Sequence, residues 1–247
     1  MSSLALDRIG IRGRLDGVTT KLHPGAVVAI CGPNGAGKST LLSVLTGLLQ
    51  PDSGQVRFGP GPLANLTNAE RARAIGYLPQ SPEIAWDLSV ETLVSLGRLP
   101  WHCAPAGETH AAIEAAITAM DLDAFRSRPV SRLSGGERAR ALMARVLATQ
   151  PCWLLADEPL ANLDLAHASS LMRRFREQAG AGRGVVLVLH DLATAMNHAD
   201  RVLVLDRGRL IADAPPAQAL SEGVIERVWR VAARWHGDPG AWALSVT

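Results

Sequence analysis

An α/β fold on a mostly parallel sheet, with a helical segment inserted into it, is the expectation for this 247-residue sequence. Three observations predict it. Short β-branched apolar runs recur along the chain between stretches of helical periodicity, the pattern of strands covered on both faces by crossover helices. One of these runs ends in a glycine-rich arc closed by Gly-Lys-Ser, the sequence form of a phosphate-binding loop between a strand and a helix. Between about 84 and 150 the strand signal almost vanishes and helical periodicity takes over.

Each element follows from local chemistry. Ala26-Val27-Val28-Ala29-Ile30 predicts a buried strand that stops at the glycine arc. Lys38 to Gly47 predicts the next helix, with Leu41, Leu42 and Leu45 on one face and Gly47 at its end. Gln55 to Phe58 and Ile75 to Leu78 suggest short strands. Val90 to Leu99, His110 to Met120 and Gly136 to Ala148 are the helices of the inserted lobe, placed at about 84–150. Trp153 to Ala156, Val185 to Leu189 and Arg201 to Leu205 are three further strands of the buried type. Ser221 to Val231 predicts a last helix and Gly237-Asp238-Pro239-Gly240 a turn, with Trp235 and Trp242 packing the tail down.

Composition excludes several classes. Apolar content of 47% and charged content of 19% fit a globular chain with a sizeable core. A formal net charge of +2 gives no electrostatic reason to expect nucleic acid or an acidic membrane as partner. No stretch approaches the ~18–20 apolar residues of a membrane span, and Met1-Ser2-Ser3-Leu4 reads as neither secretory signal nor transit peptide, so a cytosolic location is expected. Cys31, Cys103 and Cys152 lack metal-ligand or disulfide spacing.

The arc Gly32-Pro33-Asn34-Gly35-Ala36-Gly37-Lys38-Ser39-Thr40 can aim successive backbone N–H groups at phosphate oxygens, because glycine tolerates the dihedrals required. The helix behind it adds its positive N-terminal end. Lys38 would bridge the β- and γ-phosphates, and the Ser39 hydroxyl would ligate magnesium. In Leu133-Ser134-Gly135-Gly136-Glu137, Ser134 can cap the following helix while the glycines leave its first amides open to an anion. Taken singly, the remaining signals are weak: Asp157-Glu158 after an apolar run marks an ordinary strand end, and His190 after another is an ordinary surface group.

Their order is what carries weight. The arc, Gln80, Leu133 to Glu137, Leu154-Leu155-Ala156-Asp157-Glu158, Asn162-Leu163-Asp164 and His190-Asp191 resemble, in sequence, the motifs of ABC-type ATPases, from about Leu4 to Trp229. The resemblance implies a P-loop NTPase core with a mostly parallel sheet, a small N-terminal antiparallel β region and an inserted α-helical lobe. It would make 1–231 an ABC ATPase domain and 232–247 a short extension. ATP and magnesium are the implied cofactors, with the phosphates on Gly32 to Thr40 and magnesium on Ser39, Asp157 and Gln80. Glu158 is implied as general base, with His190, Gln80 and Lys38 completing the catalytic set and Asp164 as the D-loop aspartate. Leu133 to Glu137 would bind the γ-phosphate of ATP held by the other subunit, which requires a head-to-tail homodimer. One departure stands out: Arg8-Ile9-Gly10-Ile11-Arg12-Gly13 lacks the family's adenine-stacking aromatic, leaving Ile11 or Arg12 to pack on the base.

Ala74-Ile75-Gly76-Tyr77-Leu78-Pro79-Gln80 and Val94-Ser95-Leu96-Gly97-Arg98-Leu99-Pro100-Trp101-His102 look like the branch that serves importers of ferric siderophores, haem and cobalamin. That likeness implies integral-membrane permease subunits as partners, a substrate-binding protein met only through them, no nucleic acid, and a peripheral place on the cytoplasmic face of the inner membrane. ATPase subunits of other importers, of exporters, and soluble ABC ATPases of translation or repair share the same motifs, the last with two cassettes or long insertions. Ser81 to Leu88, with Ile84, Trp86 and Leu88, is either a groove wall for a permease helix or a plug of the lobe.

Overall fold

A computed structural model describes residues 2–80 and 87–247. In chain order the elements are β1 (Leu4–Ile11), β2 (Leu15–Leu22), β3 (Val27–Cys31), α1 (Lys38–Leu45), β4 (Ser53–Phe58), β5 (Gly61–Pro62), α2 (Asn68–Ala74) and β6 (Ile75–Leu78). Then come α3 (Val90–Ser95), α4 (Ala106–Ala119), α5 (Gly135–Ala148), β7 (Trp153–Asp157), α6 (Leu165–Gly180), β8 (Gly184–Val188) and α7 (Leu192–His198). The chain ends with β9 (Arg201–Asp206), β10 (Arg209–Ala214), α8 (Pro216–Ala219), α9 (Glu222–Trp229), β11 (Ala233–His236) and β12 (Ala243–Val246).

The main sheet has six strands in the order β10-β9-β3-β8-β7-β6. Every neighbouring pair from β9 to β6 is parallel, and β10 joins β9 antiparallel at one edge. All five residues of β3, β7 and β8 are buried. An alternation is concealed inside those runs: Val27, Ala29 and Cys31 face one hydrophobic cluster, Val28 and Ile30 the other. Burial of each such Val or Leu side chain contributes roughly 1.5–3 kcal/mol. On one side lie α1 and a four-stranded antiparallel sheet of order β2-β1-β4-β5. On the other lie α6, α7 and the helices α3 to α5, whose buried side chains form one continuous cluster with the sheet.

This arrangement decides where a ligand binds. The chain leaves β3 for α1 on one face of the sheet and leaves β7 and β8 for α6 and α7 on the opposite face. The crevice beyond the C-terminal ends of β3 and β8 is therefore a topological switch point, the usual binding place of open parallel sheets.

Some expectations shift. The helix from Val90 ends at Ser95, and Leu96 to Trp101 continue as 3-10 turns, as suits a segment whose Pro100 has no N–H for an α-helical bond. The helix expected from His110 begins at Ala106, directly after Pro105. The tail is a β-hairpin of β11 and β12. Trp235 Nε1 donates to the Leu220 carbonyl at 2.8 Å, and the Asn197 side chain holds the Trp242 N–H and carbonyl, each at 2.8 Å. Expectations for Ser81 to Trp86, including Ile84 and Trp86, fall outside the described residues.

Candidate active site

Four parallel strands deliver the candidate residues to one edge of the sheet. β3 runs into the glycine arc, β7 ends in Asp157 and leads to Glu158, β8 leads to His190, and β6 leads to Gln80. The cleft above the arc has a volume of about 310 Å³ and is lined by Asn34 to Thr40, Glu158, His190, Gly13 and Arg14.

Gly37 caps α1 at φ 100°, in the left-handed region that other residues enter at a cost. A Cβ there would also lie 2.7 Å from the Arg14 carbonyl. The β1–β2 turn thus rests on the arc, and the β9–β10 turn ties both together: Asp16 N–H donates to the Gly208 carbonyl at 2.9 Å and Gly208 N–H to the Ala36 carbonyl at 3.0 Å. Lys38 is 6% exposed, and its ammonium donates to the carbonyls of Gly32 at 2.9 Å and Pro33 at 3.0 Å. The cation therefore sits against the glycine arc itself. Burial lowers its pKa, while the charge of Glu158 works against that shift.

Asp157 is 4% exposed, and its Oδ1 is buried with no hydrogen-bond partner among the described residues. Desolvation raises its pKa, offset in part by the Ser39 hydroxyl. A buried carboxylate oxygen without a partner costs about 1–3 kcal/mol, and a hard cation removes that cost. Carboxylate and hydroxyl oxygens beside a phosphate loop suit magnesium, which binds through one or two protein oxygens plus substrate phosphates. The residues present fit that ion.

Glu158 adopts φ 49°, strained for a residue with a Cβ. Gln80 Nε2 donates to its Oε2 at 2.6 Å, and His190 Nε2 contacts its Oε1. Both oxygens of the carboxylate are thereby oriented by residues from β6 and β8. His190, which the resemblance puts in the catalytic set, meets Glu158 here. Cys31, at the end of β3, is fully buried, and burial pushes its thiol up to about 12, so it stays an unreactive apolar group.

The second cluster begins at α5. Ser134 is its N-cap: its Oγ accepts from Glu137 N–H at 3.3 Å, and its N–H donates to Glu137 Oε2 at 2.7 Å. That N–H holds the Glu137 carboxyl below its usual range. Ser134 and Gly135 are exposed, while Leu133 is half-buried against the core. Asp164 caps α6 by accepting from His167 N–H at 2.8 Å, and that bond lowers its pKa. In this single chain Ser134 and Gly135 do not line the phosphate cleft.

Arg14 and His167 went unread in the sequence. An arginine in a turn and a histidine in a helix carry no local signal, and the only clue was proximity to a motif.

The fold and the phosphate cleft define a P-loop nucleoside triphosphatase. Residues 15–161 match the model of the ABC transporter family. The chain is 42% identical over 97% of its length, and 86% of the relative's, to "Hemin import ATP-binding protein HmuV" of Streptomyces coelicolor. It is 43% identical over 89% of its length, and 76% of the relative's, to the protein so described in Rhodococcus jostii. Its structure matches cbiO1 of Clostridium perfringens, described as part of the ABC transporter complex cbiONQ, at a TM-score of 0.80 and 28% identity, covering 91% of this chain and 92% of that one. The chain belongs to the ABC transporter family as an ATP-binding subunit, and it is an ATP hydrolase. Among the described residues no helix is long and apolar enough to cross a membrane.

Proposed function

We propose that this chain is the ATP-hydrolysing subunit of an importer for haem or a chemically related iron chelate. The observation that carries this reading is 42% identity along 97% of the chain to a hemin import ATP-binding protein, joined to Lys38, Ser39, Glu158 and His190 at one cleft. In this reading Gly32 to Thr40 bind the ATP phosphates, and Ser39, Asp157 and Gln80 hold magnesium, which supplies charge neutralisation at the β- and γ-phosphates. Glu158 takes a proton from the attacking water, while Lys38 and His190 stabilise the transferred charge.

A second copy completes the site. Gly135 has no positive φ, and among the described residues a Cβ on it would meet only the Asn162 carbonyl, at 3.9 Å. Neither its backbone nor its packing against the described residues calls for glycine there. A close approach from outside, by the γ-phosphate on another copy, does. Asp164 then lies in the same head-to-tail interface, beside Leu165, which is 91% exposed.

The permease seat in this reading is the groove lined by Ile75, Tyr77, Leu96, Leu99 and Pro100, where Leu99 is 69% exposed. It adjoins β6, which leads to Gln80, so a helix of the permease seated there would sense the nucleotide. The subunit then sits peripherally on the cytoplasmic face of the inner membrane and meets the substrate-binding protein only through the permease. The test is detergent pull-down of the tagged chain from native membranes, together with growth of a gene deletion on haem as sole iron source. Co-purification of a multi-span protein and loss of haem-dependent growth are expected. Capture of ribosomes or nucleic acid would overturn the transport reading.

The base seat follows from the same cleft. Among the described residues no aromatic side chain lines it or the adjoining hollow of Gly10 to Asp16, Asp52, Ser53 and Arg207. Gly13 and Arg14 border both spaces, and of the two only Arg14 carries a side chain, so Arg14 is taken as the platform ahead of Ile11 and Arg12, which line the hollow alone. Arg14→Ala is expected to weaken ATP binding at least about 5-fold, the low end of the ~1–3 kcal/mol of one base-stacking contact. Inorganic tripolyphosphate should bind it unchanged, whereas Lys38→Ala should weaken both ligands. Calorimetric titration of the two variants checks this, and equal ATP affinity in Arg14→Ala and the parent would remove the arginine platform.

A further inference from the structure

Gly136 differs from Gly135 in what surrounds it. A Cβ built on Gly136 would fall 2.6 Å from His167 Nε2 and closer still to Cγ and Cδ2 of the same ring. Contacts that short do not occur at real Cβ atoms, so the imidazole occupies the space any side chain at 136 would need. The ring is fixed from its far side: Asp164 Oδ1 lies 2.8 Å from His167 Nδ1 and also accepts from His167 N–H at 2.8 Å. Asp164 closes a short stiff loop that starts at Glu158. Ala161 N–H donates to the Glu158 carbonyl at 3.1 Å, Leu163 N–H to the Leu160 carbonyl at 3.3 Å, and Glu158 and Asn162 both have positive φ.

We infer that His167 is a positioning residue: its imidazole is the spacer that fixes the N-terminus of α5 against the Glu158–Asp164 loop of the same chain. The inference rests on the shared-site reading above. If ATP is sandwiched between the phosphate cleft of one copy and Ser134-Gly135 of the other, Glu158 and Ser134 of one chain belong to different active sites. A spacer between them then joins the two sites of the dimer. Displacement of the loop by nucleotide at one site then presses through the Asp164-held ring on the glycine beneath the anion-binding amides of the other. On this account Gly136 is glycine because of His167, and Gly135 because of phosphate.

The test is a double-variant cycle on the full chain. Gly136→Ala alone is expected to lower kcat at least 10-fold, because Cβ and ring cannot both fit, with ATP binding to the monomer unchanged. His167→Ala alone is expected to lower kcat a few-fold and bring the Hill coefficient for ATP toward 1. His167→Gln, which keeps a hydrogen-bonding group for Asp164, should recover part of that cooperativity. Adding Gly136→Ala to His167→Ala should cost less than 2-fold more, since the vacated space accepts the methyl group. A second readout needs neither turnover nor a stable Gly136→Ala variant: ATP-driven dimerisation, by sedimentation, of His167→Ala in the Glu158→Gln background, expected to be weakened. Additive losses in the cycle, or unchanged cooperativity and dimerisation in His167→Ala, overturn the inference. Ser134→Arg run in parallel separates the two claims. Full turnover there would sink the shared site itself, whereas loss there with an additive cycle sinks only the spacer.

Discussion

Glu158→Gln is expected to lower ATP turnover by about 10²- to 10⁴-fold, the span supplied by a positioned general base, while ATP affinity stays within a few-fold. The argument rests on how the carboxylate is held. Its two oxygens are engaged separately, by Gln80 at 2.6 Å and by His190, and its backbone is held at φ 49°. Glutamine has nearly the same shape and retains an acceptor for Gln80, so the substitution removes proton affinity and little else. Phosphate binding depends on the arc and Lys38, neither of which is altered. In the shared-site proposal, where hydrolysis reopens the dimer, the variant should therefore bind ATP, close and stay closed. Single-turnover hydrolysis and sedimentation in ATP measure both halves. Turnover within about 10-fold of the parent would remove Glu158 as the base, since even the weakest such base contributes more.

The core strands were legible in the sequence because burial on both faces turns a strand into a continuous apolar run, as at Val185 to Leu187 in β8. Of the N-terminal sheet, only β4 was legible in its own residues, and β1 and β2 followed from the family resemblance alone. In β1 the alternation of Leu4 and Leu6 is reset at Arg8, where φ is 49° and the pairing register with β2 shifts before Ile9. A bulge of this kind erases the period-two signal. β10 carries a similar register shift between Leu210 and Ala212, and the tail strands hold only half-buried and exposed residues. At the site, motif order located the cleft, but contacts across the chain were out of reach. Gln80 and Glu158 are 78 residues apart, and nothing in either motif says that they touch. Arg14 was hidden for another reason: its backbone carbonyl, not its side chain, is what demands glycine at 37 and 208.

Ser134→Arg carries the other large effect. It should abolish turnover, by 100-fold or more on the scale set for lost preorganised anion donors at about 2.7–4 kcal/mol, because a long cation at the cap fills the space before the first amides of α5. Loss of the Ser134 cap itself costs only about 1 kcal/mol, visible as a small drop in melting temperature and too little to account for inactivity. ATP binding to the monomer should be unaffected, since Ser134 lies outside the phosphate cleft of its own chain. The decisive form of the experiment mixes two dead proteins. In a head-to-tail pair of one Ser134→Arg copy and one Glu158→Gln copy, one site takes both defects and the other takes none. Random pairing makes about half of the dimers mixed, each with one intact site, so turnover should return to a ceiling of about a quarter of the parental value, lower to the extent that the two sites are coupled. The chains must be mixed before ATP is added, because the Glu158→Gln pair does not reopen once closed. If each chain instead built its whole site alone, the mixture would stay as inactive as its parts, and the exposed glycine at 135 would need another explanation.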